Sequence, residues 1–103
     1  MRIEDLEPRE LLPGTSVRFV HGDRMTMAHW QFQVGVLLPE HSHPHEQITT
    51  IMSGEFELTM EGERMTLCAG DYLVIPPDAV HSGRAITECR ILDVFSPVRE
   101  DFR

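Results

Sequence analysis

Turn signals recur along this chain at short intervals: Gly22-Asp23, Ser53-Gly54, Glu61-Gly62-Glu63, Ala69-Gly70-Asp71 and Pro76-Pro77. The stretches between them alternate with period two, the spacing of strands that bury one face. Trp30, Phe32, Val34, Val36 and Leu38 alternate with Gln31, Gln33, Gly35 and Leu37, which predicts a strand buried on one face for most of its length. Residues 47–53 are β-rich through Ile48, Thr49, Thr50 and Ile51. Phe56, Leu58 and Met60 alternate with Glu55, Glu57 and Thr59, and the turn at 61–63 leads into Met65 and Leu67, predicting a hairpin. Residues 72–75 form a short apolar strand that must end at Pro76-Pro77, because proline has no N–H to donate to a ladder. Residues 89–95 are apolar except for Arg90 and Asp93 and make the last strand. No segment has the pattern of an amphipathic helix. Many short strands with frequent turns predict an all-β sandwich or barrel, which also removes exposed sheet edges.

At 103 residues the chain has room for one domain, 1–103, with an acidic extended lead-in at 1–13, available to pair with a partner subunit, and a tail at 96–103. Its net charge of −8 argues against nucleic acid and anionic membranes, both of which need basic groups. The N-terminus carries Glu4, Asp5 and Glu7 where a signal peptide would be basic and then apolar. Cys68 and Cys89 are too few for a disulfide framework and read as reduced thiols, so a cytoplasmic protein is expected. Met25, Met27, Met52, Met60 and Met65 read as core filler.

The histidines are clustered. His21 and His29 read as ordinary satisfied residues, although His29 shares the parity of a polar face that could line a cavity. His41, His43 and His45 fall within five positions, and imidazole is the commonest metal ligand. With Gln47 they share one parity, so on an extended strand all would face one side. A straight strand would separate His41 and Gln47 by about 20 Å, far beyond the reach of one ion. The backbone must break between them, and Pro44 sits where the break is needed. This predicts His41 and His43 before the bend, Gln47 after it, and His45 outside the ligand set. Glu46 is the alternative oxygen ligand, but its parity points it away. His81 would be delivered from elsewhere by the turn after Pro76-Pro77. Three imidazoles and an amide cancel none of a dication's charge, which suits a Lewis acid meeting an anion better than a redox iron. The spacing does not identify the ion; nickel, zinc, manganese and iron all stay open.

Gly35, His41-x-His43, Gln47 and Gly54 resemble the first cupin motif, with Gln47 in place of its usual glutamate. Gly70-Asp71, Pro76, Asp78 and His81 resemble the second, with Asp78 where glycine is usual. The resemblance implies a small antiparallel jelly-roll β-barrel with one divalent metal ion inside. Residues 41–48 and 92–102 are further similar to the KdgF pectin-degradation family, in which an amide replaces the generic glutamate. That resemblance implies opening of 4,5-unsaturated uronate monomers, from pectin or alginate breakdown, to linear 5-keto-4-deoxyuronate. It implies His41, His43, Gln47 and His81 as metal ligands, and places Asp93, Phe95 and Arg99 at positions of catalysis and substrate contact. Family analogy and the small fold also imply a homodimer, paired through terminal strands.

The chemistry asks for such residues. Ring opening removes a proton from the anomeric hydroxyl and delivers one to an alkenic carbon, and one carboxylate can do both. Asp93 is the expected acid/base, the plain alternative being a hydrogen-bonded acid in a strand. Phe95 shares its parity and would pack on the sugar face, the alternative being ordinary core. Arg99 would grip the substrate carboxylate with its fork, the alternative being a solvated terminus; Arg84 is a weaker candidate. Two other functions fit the same residues: a cupin-type metal dioxygenase, and a non-catalytic sugar- or metal-binding module.

Overall fold

The computed structural model describes residues 1–103. Nine strands form two antiparallel sheets. In the first, β1 (Thr15–His21), β2 (Thr26–Phe32), β9 (Cys89–Ser96), β4 (Glu46–Ser53) and β7 (Tyr72–Ile75) lie in the order β1-β2-β9-β4-β7. In the second, β3 (Leu37–His41), β8 (His81–Ala85), β5 (Glu55–Met60) and β6 (Glu63–Cys68) lie in the order β3-β8-β5-β6. The sheets face each other as a jelly-roll sandwich, the all-β architecture read from the turn spacing.

The expected hairpin is β5–β6. Glu61 (φ 48°) and Gly62 (φ 79°) both take the left-handed conformation that a two-residue hairpin turn demands. Several segments differ from expectation. The single strand expected through Leu38 is broken: β2 stops at Phe32, Gly35 turns with φ 82°, and β3 begins at Leu37. Val34, expected inside, is exposed. Two strands, β1 and β8, carry no clean alternation and were not expected. Residues 1–13 fold back on their own chain, with Arg9 bridged to Val17 of β1. Met25 and Met52 are exposed rather than in the core, whereas Met60 and Met65 pack against it.

The interior is graded from end to end. Cross-strand register sets Trp30 beside Ile91 and Ile91 beside Ile51, and together with Phe32 and Phe56 these close one end as an apolar core. Burial of such side chains contributes roughly 1.5–3 kcal/mol each. One row further, Ala28 lies beside Asp93 and Asp93 beside Thr49; the next row sets Thr26 beside Phe95 and Phe95 beside Gln47. Ala28, set beside Asp93 by the register, is small and fully buried. On the facing sheet His41 pairs with His81 across β3 and β8. The polar end of the sandwich is therefore built by register, not by loops alone.

Candidate metal centre

His41 ends β3, His43 follows in the break before β4, and His81 opens β8. Chain bonds bring the two stretches together. The Asp78 N–H donates to the His43 carbonyl at 2.8 Å, docking the turn of the second motif on the loop of the first. Asp78 has φ 66°, the left-handed conformation that explains why glycine is usual there. Glu61 clamps the residue before His81: its carboxylate accepts the Val80 N–H at 2.8 Å, and its own N–H donates to the Val80 carbonyl at 2.8 Å.

One ring nitrogen from each of His41, His43 and His81 lies within 4.8 Å of the others. Each Nδ1 faces a backbone carbonyl, that of Pro39 (2.8 Å), His45 (3.0 Å) and Ala79 (2.8 Å) respectively. A carbonyl only accepts, so His41 and His81 carry the proton on Nδ1 and present a lone pair at Nε2, the tautomer that metal-binding histidines adopt; His43 has an acceptor at each ring nitrogen, and its single proton can serve only one of them. Burial lowers the pKa of His43, with the Arg99 charge adding to the effect, and burial pushes His81 down to about 4. Both are neutral at pH 7, as a ligand must be. His45 stands outside the cluster, as the Pro44 break required.

Gln47 sharpens the case. Its Oε1 lies 3.0 Å from His43 Nε2; when the single proton of neutral His43 is on Nδ1, toward the His45 carbonyl, these are two acceptor atoms facing each other. The amide is held that way round because its Nε2 donates to Thr49 Oγ1 at 2.8 Å, and that hydroxyl donates to Asp93 Oδ1 at 2.8 Å. Lone pairs converging in a buried place are repulsive unless a cation binds them. The donor set therefore fits a divalent ion.

The histidines open into a cavity of about 270 Å³. Asp93, Phe95 and Arg99 all line it, so the structure brings together every residue singled out for chemistry; Arg84 is exposed on β8 and outside it. Burial pushes the Asp93 carboxyl up to about 6, against the opposing pull of the Thr49 and Gln47 side chains, the Arg99 charge and Trp30. Arg99 is no solvated terminus. Its backbone N–H donates to Thr26 Oγ1 at 2.9 Å, and its guanidinium lies 4.7 Å from the Phe95 ring centre and 4.0 Å from that of Phe102. The fork is partly used: Nε and Nη2 donate to the Asp101 carboxylate at 3.0 and 2.8 Å. That pair holds Asp101 below the usual carboxylate range. The edge formed by Nη1 and the second Nη2 proton has no protein acceptor and remains for a ligand.

His29 does not reach this cavity; it points to the opposite face of its sheet, beside Ile3 and Arg18, and its Nε2 has no partner. Sequence reasoning missed Thr49, Trp30, Leu11, Leu12, Asp101 and Phe102. Thr49 had a signal, the parity it shares with Gln47 two positions earlier. Leu11 and Leu12 line the cavity because the lead-in folds back, which no periodicity announces.

The chain matches the cupin domain family over residues 28–95. It is 34% identical to the pectin degradation protein KdgF of Dickeya dadantii (strain 3937) across 97% of this chain and 94% of that protein. Its structure is similar to that of KdgF from Halomonas sp., with TM-score 0.92 and 28% identity over 97% of this chain and 94% of the other. An RmlC-like cupin from Shewanella frigidimarina gives TM-score 0.92 and 29% identity over 97% and 91% of the two chains. With its histidine cluster and the substitution of Gln47 for the generic glutamate, the chain belongs to the cupin domain family and, over nearly its whole length, to the KdgF proteins.

Proposed function

We propose that this protein opens 4,5-unsaturated uronate monomers to linear 5-keto-4-deoxyuronate, an isomerisation in which no atom is gained or lost. The observation that carries the reading is the meeting, in one cavity, of the buried Asp93 carboxyl, whose pKa burial raises, a free guanidinium edge and three imidazoles with ring nitrogens within 4.8 Å of one another. Asp93 takes the proton of the anomeric hydroxyl as C1=O forms and the C1–O5 bond breaks. The electron pair released to the C4–C5–O5 enolate is then quenched at C4 by the same proton, leaving a ketone at C5. Arg99 binds the substrate carboxylate through Nη1 and Nη2, supplying the local positive charge that a chain of net −8 needs to hold an anion. Phe95 packs against the sugar face and against the guanidinium. His41, His43, His81 and Gln47 Oε1 are the ligands of one divalent ion, which when bound supplies Lewis-acid stabilisation of negative charge on the substrate.

Loss of the conjugated ultraviolet absorbance of freshly made unsaturated monouronate tests the reading. Chelator-sensitive, oxygen-independent loss is the expected result. Oxygen uptake would point to a dioxygenase, and binding without change to a non-catalytic module; either overturns the proposal. We also propose a cytoplasmic location, in keeping with the two free thiols Cys68 and Cys89, and a homodimer. Supporting that, Val20, Met27, Val94, Ile48 and Val74 form an apolar row across the outer face of all five strands of the larger sheet. A two-fold pairing would set this row against its own copy.

A further inference from the structure

Arg9 stands outside the cavity but is tied to the wall that carries Arg99. It is exposed, in the lead-in that folds back on β1, and its backbone N–H and carbonyl exchange hydrogen bonds with Val17 at 2.9 Å each. Its guanidinium lies 4.6 Å from the ring centre of Phe19, and its Nη2 donates to the Phe102 carbonyl. Phe19 in turn meets Phe102, with ring centres 4.8 Å apart and planes tilted by 30°. Phe102 meets the Arg99 guanidinium at 4.0 Å. Arg9 therefore grips Phe102 twice, by its carbonyl and through the Phe19 ring. Phe102 lines both the cavity and the outer groove that holds Arg9. The turn Glu100–Phe102 has few other attachments. Its backbone bonds are local, reaching only Val98, Arg99 and Glu100. The bond from Arg9 is the one hydrogen bond joining residues 100–103 to any residue before Val98. Yet this turn supplies two groups that orient Arg99: the Asp101 carboxylate, which accepts from Nε and Nη2, and the Phe102 ring.

We propose that Arg9 is a positioning residue for Arg99, acting through Phe102 and the turn that carries Asp101. This rests on the function proposed above, in which the free edge of Arg99 binds the substrate carboxylate. With the tie in place, the unused protons of Nη1 and Nη2 are held at one angle, and little order has to be gained when the anion arrives. With the tie removed, a turn of so few contacts opens by local fluctuation, and Asp101 and Phe102 leave the guanidinium together. The cost of ordering Arg99 then falls on substrate binding. The carboxylate is gripped alike before and during ring opening, so the effect belongs in KM rather than kcat.

Arg9→Met keeps an apolar stem over Phe19 and removes both the donor and the charge, whereas Arg9→Lys keeps a donor and a charge. The side chain is exposed, so neither change reaches the core. In steady-state kinetics Arg9→Met should raise KM for the unsaturated uronate about three- to tenfold with kcat within about twofold of wild type, and Arg9→Lys should recover most of that loss. A second readout separates positioning of Arg99 from general support of the fold. The methyl ester of the same uronate has no carboxylate for the fork to bind, so the preference of wild type for acid over ester, as a ratio of kcat/KM, reports on Arg99. Arg9→Met should lower that preference by the same factor as it raises KM, whereas a general loss of stability would affect acid and ester alike. Hydrogen exchange read by mass spectrometry needs no substrate, and should show residues 97–103 exchanging several-fold faster in Arg9→Met than in wild type. An unchanged acid preference in Arg9→Met, or unchanged exchange over 97–103, overturns this inference while the proposed function stands. If wild type does not act on the uronate at all, the proposed function fails and takes the role of Arg9 with it.

Discussion

Thr49→Val is the most informative single change, because it removes one hydroxyl and keeps the shape of the side chain. That hydroxyl accepts from Gln47 Nε2 and donates to Asp93 Oδ1, both at 2.8 Å, and the residue is 3% exposed. Deleting it orphans one buried amide proton and one carboxylate oxygen, at about 1–3 kcal/mol each. Both face a cavity that water can enter, so the expected loss of stability lies at the low end, about 2–3 kcal/mol in total. The larger effect is on the metal. With no acceptor behind it, the Gln47 amide turns over and donates to His43 Nε2, relieving the two facing acceptors and withdrawing Oε1 from the ion. Loss of such an orienting partner typically lowers metal affinity 10- to 100-fold. Competition against a chromophoric chelator measures it, with urea unfolding of the metal-free protein as the stability control. Metal affinity within about threefold of wild type, alongside the expected loss of stability, would refute the claim that Thr49 fixes the direction of the amide.

Asp101→Asn leaves the Arg99 guanidinium stacked between Phe95 and Phe102 but weakens the bond that sets its angle; steady-state kinetics should show KM for the uronate raised several-fold, kcat little changed and metal content unaltered. Asp93→Asn should abolish turnover with metal still bound. The same variant should stabilise the metal-free protein at pH 7 by about 3 kcal/mol, because a carboxyl that ionises at about 6 when folded and 3.8 when unfolded penalises the fold once ionised in both. That gain fades as pH falls from 6 and is gone below 3.8. His81 acts in the opposite sense: stability present above its ordinary 6.5 is lost as pH falls toward about 4, so urea midpoints of Asp93→Asn should drop steeply with acid where wild type changes little. Ile48→Lys, in the outer apolar row, should halve the solution mass found by light scattering; a wild type that already runs as a monomer would dispose of the dimer.

Much of the fold could be read from residue order. The hairpin at Glu61-Gly62 and the strand ending at Pro76 follow from local backbone chemistry and are found as expected. The break at Gln33–Val36 was hidden because its apolar residues keep the alternation of a strand while the chain turns at Gly35. Strand β8 was hidden for the opposite reason: His81, Ser82, Gly83 and Arg84 show no alternation, since Gly83 must lie against the Phe56 ring, where any side chain would collide.

The candidate metal site divides in a similar way. Parity and the Pro44 break singled out His41, His43 and Gln47 as candidates and set His45 aside, because reach along a strand is a matter of covalent geometry. The direction of each lone pair was not in the sequence. It depends on carbonyls of Pro39, His45 and Ala79, and on a Thr49 hydroxyl and an Asp93 carboxylate brought together across two strands. The state of Asp93 was equally undecided, since burial and neighbouring charge pull a carboxyl in opposite directions and only the folded surroundings set their balance. Residue types and spacing determined an all-β chain whose histidines gather at one place. Packing decided which atoms face it, because hydrogen-bond direction and desolvation depend on neighbours distant in sequence.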